Sequence, residues 1–173
     1  MVDQLKWFDR KFNFDYPIGI FPNILARLRG TPVRLEDLIR SLPPEILAKH
    51  VNDHWSIQEH VGHLGDLEML HDGRIDDFLA NAKVLRAADL TNRKTHDADH
   101  NTQPIQKLLT SFRTVRMKFV KRLEELEEEV VGRTALHPRL KQPMRLIDMA
   151  FFTAEHDDHH IAKMVELGKI LRK

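Results

Sequence analysis

"LIDMAFFTAEHDDHHIAKMVEL", residues 146–167, sets the frame for the whole chain. Placed on a wheel of about 100° per residue with Leu146 at zero, Met149, Thr153, His156, His160, Met164 and Leu167 share one arc. The steps are of three and four, so these side chains stack along one helical stripe. A helix of this kind needs neighbours to cover it, which predicts a helical bundle. The helix is expected from about Met144 to Leu167, with Gly168 as its stop. His156 and His160 lie on the inward stripe one turn apart. His159 falls at about 220°, beside Asp148 and Glu166, and is expected on the surface. Asp157 falls at about 20°, inside the apolar arc. A buried, unpaired carboxylate costs several kcal/mol, so Asp157 needs a partner. It could orient a histidine, pair with an arginine, or face a solvated cleft.

Working outward, three further helical regions appear. Residues 57–81 follow Ser56, which stands three residues before Glu59 in a capping-box pattern. Ile57, Val61, Leu64, Leu67, Ile75 and Phe78 then recur at helical spacing. A third helix is expected from Thr102 or Pro104 to Glu129, with its face on Ile105, Leu108, Leu109, Phe112, Val115, Phe119, Leu123 and Leu126. "EELEEE" reads as its solvated end. "GIFPNILARLRGTPVRLEDLIRSL", residues 19–42, is helical in pattern from about Ile20, and Gly30 and Pro32 should break or kink it. Residues 1–17 read as an irregular leader, and "LPPEILAKHVNDH" as a connector with a short turn of helix. "GRTALHPRLKQP" reads as a loop. "RAADLTNRKTHDADHNTQP" is polar and aperiodic, a length of loop that suggests function or a partner. No segment has strand periodicity. The fold class is therefore all-α, a four-helix bundle in one domain over residues 1–173.

Composition narrows the functional classes. The 173 residues are 42% hydrophobic and 31% charged, with 27 Lys plus Arg against 26 Asp plus Glu. A net charge of +1 gives no electrostatic case for nucleic acid or an anionic membrane. No apolar run has the length of a signal peptide or a membrane span, so cytoplasmic residence is the default expectation. With no cysteine, thiolate ligands and a cysteine nucleophile are excluded. The 11 histidines are the feature that permits a metal site, which would have to use imidazole and carboxylate.

His156 and His160 have the spacing by which two imidazoles on successive turns can hold one ion. The pair could equally be two core histidines satisfied by hydrogen bonds. A catalytic site needs a third protein ligand and an open position. The helix from Ile57 offers His60, His63 and His71. With Ile57 at zero, His60 falls at about 300° and His71 at about 320°, within the apolar arc, and His63 at about 240° on its flank. Periodicity thus slightly favours His60 or His71. A di-iron carboxylate bundle would need Glu-x-x-His pairs on two helices, and only Glu68 to His71 matches.

Taken together, "DYPIGIFP" (15–22), "HWSIQEHVGHLGDLE" (54–68), "ADLTNRKTHDADHN" (88–101) and "LHPRLKQPMRLIDMAFFTAEHDDHHIAKM" (136–164) resemble the DinB-like (YfiT-type) metalloenzyme family. The family pattern is W-[ST]-x-x-E/Q-x-x-x-H-x-x-D followed by H-x-x-x-H. The resemblance covers nearly the whole length. It implies an up-down-down-up bundle, commonly a homodimer, and a metal held by His63, His156 and His160. The choice of His63 rests on this resemblance alone. Zinc or nickel is the implied occupant, and three neutral imidazoles fit either.

The expected function is a mononuclear metal-dependent enzyme with an open water position. Thiol-cofactor-dependent transfer and small-molecule hydrolysis both fit, and the thiol would be a low-molecular-weight co-substrate. Asp157 and His137 are the candidate proton carriers, against plainer roles as a structural carboxylate and a loop residue. The alternative, from another class, is a non-catalytic metal-stabilised bundle that binds a ligand.

Overall fold

The apolar stripe of the first helical region runs straight through its proline. In the computed structural model, which describes residues 2–172, α1 is unbroken from Phe21 to Arg40 with Pro32 inside it. The expected break is absent because tertiary packing outweighs the missing N–H. Leu28 and Leu35, flanking Pro32, are both fully buried. Arg27 and Arg34 on the same helix are tied to Asp158.

Helix α2 spans Ile57–Leu79, and its capping box is formed as expected. The Glu59 N–H donates to Ser56 Oγ at 3.1 Å. The Ser56 N–H donates to Glu59 Oε2 at 2.7 Å, so two otherwise orphaned donors are satisfied reciprocally. The short α3 (Arg93–Asp97) and a 3₁₀ turn (His100–Thr102) follow within the polar connection. Helix α4 covers Ile105–Glu124. It ends earlier than expected, and the acidic run resumes as α5, Glu128–Val131. Helix α6 runs from Leu146 to Leu171. Gly168 does not stop it. A Cβ at that position would lie 2.8 Å from Leu42 Cδ2, so the glycine permits a close approach of the connector after α1.

The loop expected over residues 132–143 and the expected start of the last helix at Met144 form a short hairpin instead. Thr134–Leu136 (β1) pairs antiparallel with Pro143–Arg145 (β2) in the register Ala135↔Met144. Both of these central residues point inward and are buried. The strands are too short for a periodic signal to show in sequence. The leader is irregular apart from a 3₁₀ turn at Trp7–Asp9, and a second turn, Ile18–Ile20, leads from it into α1; Trp7, Phe12 and Phe14 pack onto the core. Met1, part of the expected leader, lies outside the described residues.

Cross-helix pairs give the helix directions. Arg27, Thr31 and Arg34 meet Glu155, Asp157 and Asp158 in rising order, so α1 and α6 are parallel. Gln58 reaches Gln103, Glu68 reaches Arg116 and Asp76 reaches Arg122, so α2 and α4 are parallel. His60 meets His160 while His71 meets Thr153, so α2 and α6 are antiparallel. The bundle is up-down-down-up.

The apolar interior is in two parts. One gathers Phe21, Leu28, Ile75, Phe78, Phe119, Met149 and Phe152. The other gathers Leu35, Ile57, Leu64, Leu109, Phe112, Met164 and Leu167. Between them lies a polar layer with one residue from each long helix: Thr31, Glu68, Arg116 and Asp157. Arg116 is 0% exposed and donates to Glu68 Oε1 at 2.6 Å and to Asp157 Oδ1 at 3.0 Å. Thr31 donates to Asp157 Oδ2 at 2.9 Å. Among the described residues, no helix is long and apolar enough to cross a membrane.

Candidate metal centre

Directly beside this layer, α2 and α6 bring His63, His156 and His160 together. Each offers a ring nitrogen, and the three nitrogens lie within 4.8 Å of one another. All three rings are buried. His156 Nε2 and His160 Nε2 are 3.1 Å apart. The ring of His63 is 5.4 Å from that of His156 and 4.8 Å from that of His160, between centroids.

Hydrogen bonds fix the tautomer of His63. Thr95 on α3 donates its hydroxyl to Asp66 Oδ2 at 3.0 Å. Its oxygen therefore accepts from His63 Nδ1–H, also at 3.0 Å, which leaves the lone pair on Nε2. His100 Nε2 lies 2.8 Å from the same Asp66 oxygen. Burial pushes Asp66 upward, but bonds from His100 and Thr95 more than offset it, so it sits below its usual range. The polar connection thus acts as the outer support of His63. Gly62 makes that possible, since a Cβ there would fall 2.3 Å from the His100 ring. On the other side His160 Nδ1 lies 2.8 Å from His60 Nδ1. If His160 presents its Nε2 lone pair to the centre, Nδ1 carries the proton and donates to His60.

Electrostatics keep the cluster neutral. Burial, offset only in part by the Asp66 charge, pulls His63 down to about 4. Burial, and the repulsion that protonated neighbouring histidines would exert, hold His156 and His160 well below the ordinary value. Neutral imidazoles are the form that ligates a metal. The donor set, its convergence and its neutrality fit a divalent ion. Among the described residues, this is the one group of three or more His or carboxylate side chains so convergent. The centre opens on a cavity of about 420 Å³ whose walls include Trp7, Trp55, Leu67 and Phe152.

The other histidines and acids singled out in the sequence stand differently. His60 and His71 are buried too but lie outside the triad. His71 instead faces Thr153 Oγ1 at 3.4 Å. Asp157 points away from the cavity into the Arg116 layer, and its partner is an arginine rather than a histidine ligand. Glu68 is held by the same arginine, so its carboxylate is not offered to a di-iron site. His137 does line the cavity. His159, expected on the surface, is half-buried. The leader packs against part of it, with Gln4 Nε2 donating to His159 Nδ1 at 3.0 Å and the Trp7 ring 5.5 Å away. Asp148, placed with it on the polar side, is buried against Arg145.

The buried histidines give the protein a steep acid limit. Burial holds His60 at about 3, and burial with the charges of Arg74 and Arg116 holds His71 well below its ordinary value. Their neutral forms are favoured in the fold, so the unfolded chain binds more protons below about pH 6.5. Stability is full above that pH and is lost as pH falls towards the folded values. At pH 5 a histidine held at about 3, as His60 is, costs about 2 kcal/mol. Thermal melts of metal-free protein should show a falling midpoint from pH 7 to pH 5. A flat profile over that range would contradict neutral burial.

A sequence search of curated proteins finds no match. A solved structure, YfiT from Bacillus subtilis, superposes with a TM-score of 0.80 at 19% identity, covering 94% of this chain and 93% of that one. That protein is described as a probable metal-dependent hydrolase with an unusual four-helix bundle topology. The family profile of the DinB superfamily matches residues 27–164, from the middle of α1 to Met164 on α6. The chain belongs to the DinB superfamily.

Proposed function

We propose that this chain is a mononuclear metal-dependent enzyme acting on small molecules, with the ion held by His63, His156 and His160. The observation that carries this reading is three neutral, convergent imidazoles that open on a cavity without a fourth protein donor among the described residues. Such an ion, when bound, supplies a Lewis acid to a water, a thiol or a polar group of the substrate. The chain's own residues do the rest. Thr95 and Asp66 hold His63 in the tautomer that presents Nε2. His60 orients His160. Trp7, Trp55 and Phe152 supply apolar walls that exclude water and seat an apolar group.

Hydrolysis is supported by the description of YfiT. Transfer from a low-molecular-weight thiol is supported by the family resemblance, and this chain without cysteine would need an external thiol for it. Zinc or nickel as the ion and a symmetric homodimer belong to the same proposal and rest on the resemblance. His137 serves better as a substrate contact than as a proton carrier, and Asp157 as a structural carboxylate.

The test uses protein purified without a histidine tag and loaded with zinc or nickel. It is screened against small esters and amides, and against thiols paired with electrophiles. Turnover should vanish on chelation while the circular-dichroism signal and most of the thermal stability remain, apart from the stabilisation that binding itself adds. Unfolding on chelation, with no turnover in the loaded form, would favour a metal-stabilised binding module instead.

A further inference from the structure

Away from the histidine triad, the same cavity ends in a cluster made only of hydrogen-bond donors. Arg74 on α2 is 2% exposed, and its Nε and Nη2 reach only the Arg86 carbonyl, at 3.3 and 3.2 Å. Arg139, in the loop between β1 and β2, has its Nη2 buried and unpartnered among the described residues. Neither guanidinium has a carboxylate within ion-pair distance among the described residues. Burial lowers both; Arg74 falls to about 10 although the more distant Asp77 charge, itself bonded to Arg86, opposes the shift. His137 completes the group. Its Nδ1 accepts from the Leu140 N–H at 3.1 Å, so the proton is on Nε2. That nitrogen is buried and also unpartnered. One acidic residue reaches the cavity wall, Asp89, but it is exposed and its oxygens are taken by Thr91 and the Arg93 N–H.

A buried cation held by one carbonyl alone, a half-buried one with an unpartnered Nη2 and a buried N–H with no acceptor are costly unless a ligand supplies charge and acceptors. An aromatic wall joins this cluster to the triad. The Arg139 guanidinium lies 5.6 Å from the Phe152 ring and 6.0 Å from the Trp7 ring. Trp7 in turn lies 5.0 Å from Phe152 and 5.0 Å from the His156 ring. The cavity of about 420 Å³ suits a small organic molecule.

We infer that Arg74, Arg139 and His137 bind the anionic group, a carboxylate or phosphate, of a small organic substrate whose flat apolar body lies along Trp7 and Phe152. The placement of its other end at the triad rests on the proposed metal site. The anion site itself does not. Bidentate guanidinium contacts give such a group both strength and orientation.

Binding is measured by calorimetry on metal-free and zinc-loaded protein, with phenylacetate, benzylphosphonate and the neutral phenylacetamide as probes. Metal-free protein should bind the anion at least about tenfold more tightly than the amide, as charge-assisted bonds require. Whichever anion binds more tightly identifies the group. Arg139→Gln, a loop substitution that leaves the helices intact, should erase the preference without changing zinc stoichiometry. His156→Ala should lose zinc and keep the preference. Equal binding of anion and amide would overturn the inference. So would a preference that appears only with zinc and ignores Arg139→Gln, since the anion would then sit on the ion. Failure to bind zinc with the preference intact would remove the metal reading and leave this site standing.

Discussion

Arg116→Met is expected to destabilise the protein by about 3–5 kcal/mol, because it leaves two buried carboxylates facing each other without their cation. Arg116 is 0% exposed, Glu68 is 3% exposed and Asp157 is 0% exposed, so water cannot replace the lost bonds. Against a typical stability of about 5–15 kcal/mol, this is a large fraction. For a chain of this size the midpoint of thermal unfolding should drop by roughly 6–20 °C. Burial already pushes Glu68 upward, and the nearby Asp157 charge adds to it, so without Arg116 a carboxyl should take up a proton at neutral pH. Replacing the layer as a whole, with Glu68→Met and Asp157→Leu added, should restore much of the stability. A single substitution that costs less than about 1 kcal/mol would mean that the layer is hydrated and does not tie the four helices together.

The second large effect concerns the ion. His156→Ala should weaken zinc binding by more than about 100-fold, since loss of an outer partner alone costs about 10–100-fold. His159→Ala should leave affinity nearly unchanged, although His159 lines the same cavity and stands three residues after His156. The two are separated by titration against a competing chelator, with elemental analysis fixing the stoichiometry of the parent at about one ion per chain. Equal loss in both variants would reject the assignment of His156 to the centre.

The residues behind these effects were unequally legible in the sequence. The inward direction of His156 and His160 followed from the stripe on α6, because that helix packs on α1 and α2 through one continuous arc. Which histidine of α2 joins them did not follow. The first turns of α2 are covered on nearly every side, with Ile57, Gln58, His60, Val61, Gly62, His63 and Leu64 all buried. Periodicity carries no direction where a helix has no solvent face. Asp157 stands out as a buried carboxylate that an arginine could pair with, but the arginine itself was missed for a different reason. Arg116 sits four residues after Phe112 and three before Phe119, within the inward stripe of α4, but a search for apolar residues passes over it. Val115, placed on that stripe instead, is 37% exposed. Long-range contacts account for the rest. Trp7 reaches His156, and Arg139 reaches Phe152, only once the leader and the β1–β2 loop have closed over the bundle. Pro32 shows the converse, a local rule overridden by packing on both sides.

The most direct test of a three-histidine centre with an open position is the visible spectrum of the cobalt(II)-substituted protein, recorded before and after addition of azide or a small thiol. The structure predicts a spectrum of low coordination number that changes on addition, because one position faces the cavity rather than a protein donor. A spectrum indifferent to both ligands would contradict it and show a closed, structural site.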